Sequence, residues 1–236
     1  MLGLADSLLK DQQAVYGEFK EQLVRTEEGW YETGLPWKGN HPPLPSNEWG
    51  SLQRLRNLTR KLRHTRKTEE YESIIVEQRE QVVIEVADKP AEGIEFYILH
   101  KPVVRESAEH TKTCIAYDAS AGEHPSVSSL NECLNTGPLL QNKLWDVLVR
   151  QRSYPVAVTG DWKRAFLQAH IKASDRDALR FHWRKDQHSK LKTLRFTRAL
   201  FGLTSLPFLL GGVIECHLET WETRAPAPRN PVETCQ

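Results

Sequence analysis

Apolar residues recur every three or four positions in five stretches of the chain, and this spacing predicts helices because it places them on one face. The predicted helices cover residues 4–25, a stretch that begins at Ser46 and carries Leu52, Leu55 and Leu62, and residues 69–81, 139–150 and 207–223. Prolines at positions 42, 43 and 45 exclude a regular helix or a central strand there. The aromatic residues around them predict an extended strip that lies against the domain.

Other stretches are short, apolar and bounded by glycine or proline, as is typical of strands. Strands are predicted at residues 82–86, 94–104 and 113–118, the second of them interrupted by Pro102. Residues 177–184 and 191–198 alternate charged and aromatic side chains, which predicts a hairpin with one face in solvent. This order of elements indicates an α+β fold in which helices pack on a small mixed or antiparallel sheet.

A strand-to-turn pattern occupies the stretch that begins at Pro155. Val156 and Val158 alternate as in a buried strand, Gly160 permits a bend, and Asp161 follows directly. A carboxylate at a strand end is well placed to face a ligand, so Asp161 is a candidate metal ligand. Aspartate is also a good helix N-cap, and residues 163–168 have helical character, so a purely structural role stays open.

The composition narrows the function classes. The chain has 236 residues, enough for one large domain or two small ones. With 32 lysines and arginines against 31 acids, the net charge of +1 does not by itself indicate a nucleic-acid binder. No apolar run is long enough for a transmembrane helix, and residues 1–10 lack the features of a secretory signal. The four cysteines show no CxxC spacing and are expected to be free thiols. We therefore expect an intracellular, cytoplasmic protein that is not secreted and contacts no membrane.

The most basic part of the chain lies in the second predicted helix and just beyond it. Seven cations occur there without an intervening acid: Arg54, Arg56, Arg60, Lys61, Arg63, Arg66 and Lys67. Such a row is either a solvated helix face or a surface that contacts phosphates, and the sequence leaves both interpretations open. The candidates for nucleic-acid binding are Arg54, Arg60, Lys61, Arg63, Arg66 and Lys67.

Seven motifs follow one another along the chain. They are Tyr31-Glu-Thr-Gly-Leu-Pro-Trp37-Lys, Phe96-Tyr-Ile-Leu-His100-Lys-Pro-Val-Val, Thr111-Lys-Thr-Cys-Ile-Ala-Tyr-Asp118-Ala-Ser, Ser129-Leu-Asn-Glu-Cys-Leu134, Asp161-Trp-Lys-Arg-Ala-Phe166-Leu-Gln168, Asp177-Ala-Leu-Arg-Phe-His-Trp183-Arg and Phe196-Thr-Arg-Ala-Leu-Phe-Gly202-Leu. In this order they resemble the reverse transcriptase of long-terminal-repeat retrotransposons of the BEL/Pao group, from about residue 29 to about residue 223.

This resemblance implies a partial polymerase right hand, with fingers and an incomplete palm. The implied regions are an N-terminal helix at residues 1–28, fingers at 29–150, an incomplete palm at 151–223 and a disordered, proline-rich tail at 224–236. The implied partners are an RNA template with a DNA primer, deoxynucleoside triphosphates and the remainder of a Pol polyprotein.

The same resemblance implies roles for five residues. Asp161 would be the first carboxylate that binds Mg²⁺, in a reaction that joins nucleotides through two metal ions. Phe166 would pack beneath the incoming sugar and exclude a 2′-hydroxyl, while Phe201 and Gly202 would lie over the nucleotide and the template base. Lys112 would be the nearest cation to the triphosphate. Phe166 as a core residue and Lys112 as an exposed lysine remain the structural alternatives.

Two features of the family's nucleotide site are missing from this sequence. In the family a Tyr-x-Asp-Asp hairpin completes the two-magnesium site, but no aspartate follows Asp186 here. Cys114 stands where the resemblance places an arginine, and a thiol gives no bidentate contact to phosphate. The expectation is a fragment of an RNA-directed DNA polymerase in which polymerisation is absent. The alternatives are a non-catalytic nucleic-acid-binding remnant and a transposon relic without function.

Overall fold

A computed structural model of the chain describes residues 2–106, 111–124, 126–156, 158–162 and 164–224. In these residues the fold is α+β, with helices packed around small sheets. The α-helices are α1 (Leu2–Gln22), α2 (Glu48–His64), α3 (Thr68–Glu80), α4 (Leu130–Cys133), α5 (Leu144–Gln151) and α6 (Leu206–Arg224). Two 3₁₀ helices cover Ala165–Gln168 and Ala173–Leu179. The predicted disordered tail lies, from residue 225 on, outside the described residues.

Eight strands are found in the described part of the chain, in three separate sheets rather than one. They are β1 (Val24–Arg25), β2 (Tyr31–Thr33), β3 (Ile84–Val86), β4 (Leu99–Glu106), β5 (Thr111–Asp118), β6 (Ala169–Ile171), β7 (Arg180–Trp183) and β8 (Lys192–Phe196). The first sheet has the order β1-β2-β6 and is mixed, because β2 pairs antiparallel with β1 and parallel with β6. The sheets β3-β8-β7 and β4-β5 are antiparallel.

The hydrophobic core lies where α2, α3 and α6 cover these sheets. Its largest fully buried side chains are aromatic: Trp183, Tyr71, Phe96, Phe181, Phe196 and Phe208. The rings contact one another edge to face or tilted, as in the pairs Tyr71–Trp183 and Tyr117–Phe196. Burial of aromatic surface of this size is the main stabilising contribution in such a core.

The predicted helices are found, with shifted ends. The helix α2 begins after Asn47, one residue later than the predicted Ser46 cap, and buries Leu55, Leu58 and Leu62. The helix predicted at 139–150 begins only at Leu144, and none of its residues is buried. Residues 34–47 form no regular helix or strand, and Leu35 is buried, so the predicted extended strip packs against the domain.

Three strand predictions need correction. Pro102 does not interrupt β4. Among the described strands β4 pairs only with β5, so the missing amide N–H of Pro102 breaks no hydrogen bond to a second neighbouring strand. The hairpin of β7 and β8 is confirmed, but no face of β7 is in solvent, because α2 packs against it and all four of its residues are buried.

The strand predicted at Val156 and Val158 is wrong. The described residues there form irregular chain, and the Val158 side chain is 86% exposed. No other strand pairs with this stretch in the described part of the chain, and without a partner an alternating pattern does not form a strand. Asp161 therefore does not end a buried strand. The strand that follows it, β6, is one that the sequence analysis did not predict.

The N-terminal helix packs on the last one. The Phe19 ring lies 5.2 Å from that of Phe208, and the Tyr16 hydroxyl donates a hydrogen bond of 2.6 Å to the carboxylate of Glu215. Lys20 forms an ion pair of 2.7 Å with Glu219. This contact between two long helices covers part of the apolar side of α6, around Phe208, and leaves Leu218 exposed. None of the helices in the described residues has the length and apolarity that a membrane span requires.

Candidate functional site

The basic surface of α2 follows directly from the way that helix packs. Its buried residues, Ser51, Leu55, Leu58, Thr59 and Leu62, recur three or four positions apart and face the core. Every cation between them therefore points outward, because i, i+3 and i+4 positions share one face of a helix. Arg54, Arg60, Lys61, Arg63 and Arg66 are all exposed.

These cations are not neutralised within the described structure. No ion pair joins Arg54, Arg60, Lys61, Arg63 or Arg66 to an acid among the described residues. Lys67 differs, since it is half-buried, donates a hydrogen bond of 3.2 Å to Thr113 Oγ1 and lies 3.9 Å from Glu70. Its ammonium group is committed to contacts that join α3 to β5.

Two rows of cations run along the helix. Arg54 and Lys61 are seven positions apart, so they lie on the same side, and both line a groove of about 200 Å³ between α2 and β4. Lys101, from β4, and Asp118, from the end of β5, line the same groove. Arg56, Arg60 and Arg63 form the second row, which the spacing of four and three residues places farther around the helix.

Lys101 is the residue of this surface that sequence reasoning missed. It lies outside the basic run, in β4, between His100 and Pro102. Its place beside Arg54 and Lys61 results from the packing of α2 on β4. No local pattern could have indicated this contact.

Two of the predicted nucleotide-site residues meet in the structure. The rings of Phe166 and Phe201 are 4.8 Å apart and meet edge to face. Phe166 is half-buried on the first 3₁₀ helix and packs against the core, while Phe201 is exposed. The arrangement leaves one aromatic ring available to solvent beside a second that is anchored.

The turn at Gly202 is fixed by its neighbours. Its φ angle is +114°, and an added Cβ atom would lie 2.5 Å from the carbonyl oxygen of Tyr117, so only glycine fits. Asn131 holds this turn: its amide donates to the Gly202 carbonyl oxygen at 2.7 Å and its Oδ1 accepts from the Thr204 N–H at 2.9 Å. The turn is thereby joined to the region that carries β5 and α4.

Asp161 lies apart from this arrangement. Its carboxylate is exposed on irregular chain, and no hydrogen bond or ion pair to it is found among the described residues. No group of three or more His, Cys, Asp or Glu side chains in the described part of the chain could hold a metal ion. A single exposed carboxylate does not fit a two-magnesium site, which needs several rigidly held oxygens.

The remaining predicted phosphate contact is Lys112. It lies in β5, opposite Arg105 of β4, but its side chain is outside the described part of the structure. Cys114 follows two positions later in the same strand, half-buried and with a free thiol. The structure therefore places the backbone of this segment and leaves the expected contact of Lys112 a prediction.

A buried network of hydrogen-bonded polar side chains crosses the core, and the sequence analysis did not predict it. The carbonyl oxygen of His182 lies 2.9 Å from His100 Nε2, so Nε2 must be the protonated nitrogen of His100. His100 Nδ1 then accepts a hydrogen bond of 2.6 Å from the Tyr71 hydroxyl. His182 Nδ1 lies 3.2 Å from Ser51 Oγ on α2, and the Tyr97 ring stacks on the imidazole at 4.3 Å.

Burial controls the protonation of the two histidines in this network, His100 and His182. Desolvation lowers the pKa of His100 to about 4, and a hydrogen bond to the His182 backbone opposes it only in part. Desolvation also lowers the pKa of His182 to about 4, with smaller effects from His100 and Arg180. Glu48 lies 3.8 Å from His182 Nε2 but is half exposed, so its charge is screened. Both imidazoles are neutral in the folded protein at neutral pH.

A second buried cluster contains Asp177 and Arg180, two residues of the motif at positions 177–184. Asp177 Oδ1 accepts hydrogen bonds from Arg180 Nε at 2.9 Å and from Arg195 at 2.8 Å. Burial alone would raise the pKa of Asp177, but the hydrogen bonds from Arg195 and Arg180 outweigh it and hold the pKa below its usual range. Arg195 also binds Glu85 at 2.7 Å. Because each of these charges has a partner, the cluster joins β7, β8 and β3 through ion pairs.

The chain matches no known protein-family model, and no curated protein is detectably similar to it.

Proposed function

We propose that this chain is the fingers and incomplete palm of a BEL/Pao-type reverse transcriptase, and that it binds nucleic-acid backbone through the basic surface of α2 without polymerising nucleotides. The observation that carries the proposal is the set of exposed cations on α2 and in the turn just after it that have no acidic partner among the described residues: Arg54, Arg60, Lys61, Arg63 and, after the helix, Arg66. The ordered motifs support the family assignment.

Unpaired surface cations suit a polyanion better than a small ligand. Arg54 to Lys61 spans seven residues, about 10 Å along the helix, which is long enough to contact successive phosphates. Each phosphate that a cation neutralises releases condensed counterions, so that four or five contacts give a salt dependence with a log–log slope of roughly −4. The groove beside Arg54, with Lys101 on its other wall, adds a concave path for the backbone.

The proposed loss of polymerisation rests on the shortage of carboxylates that could bind metal ions. Asp161 belongs to no group of three or more His, Cys, Asp or Glu side chains in the described residues that could hold a metal ion, and no aspartate follows Asp186 in the sequence. Phe166 and Phe201 form a compact aromatic pair that supports descent from a nucleotide site. A sugar-facing aromatic pair positions a substrate but supplies no charge for phosphoryl transfer. Deoxynucleoside triphosphates are therefore ligands of the parent enzyme in this proposal, and the remainder of a Pol polyprotein would supply the missing acids.

Binding is tested with the purified chain and a fluorescent RNA–DNA duplex at several salt concentrations. We expect affinity to fall steeply with salt, and the double variant Arg60→Glu/Arg63→Glu to weaken binding at every salt concentration and to reduce the slope by about 2. The matched control is Lys190→Glu/Lys192→Glu, which makes the same change of charge at two other exposed positions. Absence of binding at low salt, or an equal loss in the control, would contradict the proposal.

Polymerisation is tested separately by primer extension with Mg²⁺ and deoxynucleotides, using Asp161→Ala as the control. The proposal expects the two proteins to give the same background. Incorporation above that control would show that the chain is an active polymerase, in which case Asp161 acts with acids that the described structure does not bring to it.

A further inference from the structure

One exposed tryptophan lies in line with cations of α2. The indole of Trp49 is 62% exposed, and among the described residues it contacts no other aromatic ring and no cationic side chain. The helical repeat places Trp49, Arg56, Arg60 and Arg63 within about 60° of one another around α2, over a length of about 21 Å. The buried leucines of α2 occupy the opposite side, so this outer row of four residues faces solvent.

The charges of the outer row are available to a ligand. Its three arginines form no ion pair with an acid among the described residues. Glu48 precedes Trp49 in the sequence, but its carboxylate lies 3.8 Å from His182 Nε2 and is therefore directed toward β7 rather than along the row. The outer row thus presents three unpaired guanidinium groups and one free aromatic ring.

An aromatic ring in line with guanidinium groups fits a nucleic-acid strand whose bases are unpaired. The guanidinium groups bind phosphates, and the ring stacks on the face of a base. In a duplex those faces are covered by the neighbouring base pairs, so a duplex laid along α2 offers phosphates to the arginines but no base to Trp49. A lipid surface fits less well, because a helix that lies on a membrane carries several apolar residues on one face, and the outer row has only Trp49.

We propose that Trp49 stacks on an unpaired base of a nucleic-acid strand whose phosphates are bound by Arg56, Arg60 and Arg63. This inference rests on the proposed function and adds to it a contact with bases, which a duplex does not provide. Every base has an aromatic face, so stacking of this kind tolerates any sequence. Trp49 therefore contributes to the affinity for single strands and does not select among their sequences.

Two fluorescent single strands of about ten nucleotides test this contact, one with bases and one with the same phosphates but abasic sugars. Fluorescence anisotropy measures the affinity of the full chain for each strand. Trp49→Ala should weaken binding of the strand with bases at least about fivefold, through the loss of one stacked base, and should leave binding of the abasic strand unchanged. Trp49→Phe should retain most of the affinity, since phenylalanine also stacks. Trp145→Ala is the matched control, because Trp145 is an exposed tryptophan on α5, and it should change neither affinity.

The abasic strand separates this inference from the proposed function. If the wild-type chain binds both strands and Trp49→Ala changes neither affinity, the stacking contact is overturned while the binding of phosphates stands. If neither strand binds at low salt, both proposals fail. An equal loss for the two strands in Trp49→Ala, or an equal loss in Trp145→Ala, would also overturn the inference. So would vesicles of phosphatidylserine and phosphatidylcholine that bind through Trp49 while the strands do not, because Trp49 would then belong to a membrane-binding surface.

Discussion

Acid should destabilise this fold between pH 6.5 and pH 4, because His100 and His182 are held neutral in the core. In the unfolded chain each imidazole takes up a proton as the pH falls through about 6.5. In the folded protein desolvation lowers the pKa of both to about 4, so neither is protonated in this range. The unfolded state then binds more protons than the folded state, and folding stability falls with pH.

The size of the effect follows from the two pKa values. A pKa lowered from 6.5 to about 4 for His100 corresponds to about 3 kcal/mol of stability, present above pH 6.5 and lost as the pH falls toward 4. His182 contributes a comparable amount, although the two rings are coupled through the His182 backbone and their contributions are not independent. A domain is usually stable by about 5–15 kcal/mol, so a loss of this size removes a large fraction of it.

Urea unfolding followed by circular dichroism at a series of pH values measures this loss. The wild-type free energy of unfolding should decrease by about 1.4 kcal/mol per pH unit for each histidine in the middle of the range. His100→Gln keeps a donor for the His182 carbonyl oxygen but cannot titrate. It should lower stability at pH 7 and make the dependence on pH shallower. His124→Gln is the matched control, because His124 is exposed and its ring contacts Ser126.

A free energy of unfolding that does not change between pH 6.5 and pH 4.5 would refute the reasoning. So would an equal pH dependence in wild type and His100→Gln, because acid denaturation would then arise from carboxylates alone.

Three further substitutions test single contacts by their effect on the free energy of unfolding in urea. Gly202→Ala should cost at least about 2–3 kcal/mol because of its positive φ angle and the nearby carbonyl oxygen, whereas Gly160→Ala, with no atom within 4 Å of the added Cβ, should change little; equal effects would contradict the tight turn. Asn131→Ala removes a side chain that forms three hydrogen bonds and should cost about 2–3 kcal/mol, and a neutral result would show that the turn holds without it. Tyr16→Phe should cost about 1 kcal/mol through the lost hydrogen bond to α6, with the exposed Tyr154→Phe as a neutral control; no difference between them would mean that this bond contributes nothing.

Elements that carry their own signal could be predicted from the sequence. Leu55 and Leu62 at helical spacing define α2, and the turn between Trp183 and Lys192 separates strands of four and five residues. In these cases local spacing and tertiary packing agree, so the pattern alone is enough. The cationic row on α2 was predictable for the same reason, because it occupies the positions that the buried leucines leave to solvent.

Features that depend on distant partners could not be predicted. The alternation at Val156 and Val158 resembles a strand, yet strand formation needs a neighbouring strand, and none pairs there in the described structure. The hydrogen bonds of Asn131 to Gly202 and Thr204 join residues about 70 positions apart. The neutral state of His100 depends on burial by α3 and β7, which the residues beside it do not reveal. The aromatic contact of Phe166 with Phe201 was not predicted, since the family resemblance only assigned each residue to a nucleotide site.

The strand pairings also constrain the order in which the chain can acquire structure. Tyr31 in β2 pairs with Ala169, and Ile84 in β3 pairs with Phe196, so both early strands have partners that are made more than a hundred residues later. During synthesis, the strand edges and apolar faces in the first part of the chain therefore remain unpaired and exposed until the last quarter has been synthesised. Long sequence separation of this kind slows folding, and the waiting interval exposes nascent chains to aggregation and to chaperones. A ribosome-bound chain that ends before residue 169 should remain sensitive to protease, whereas one that presents residues through α6 should become resistant.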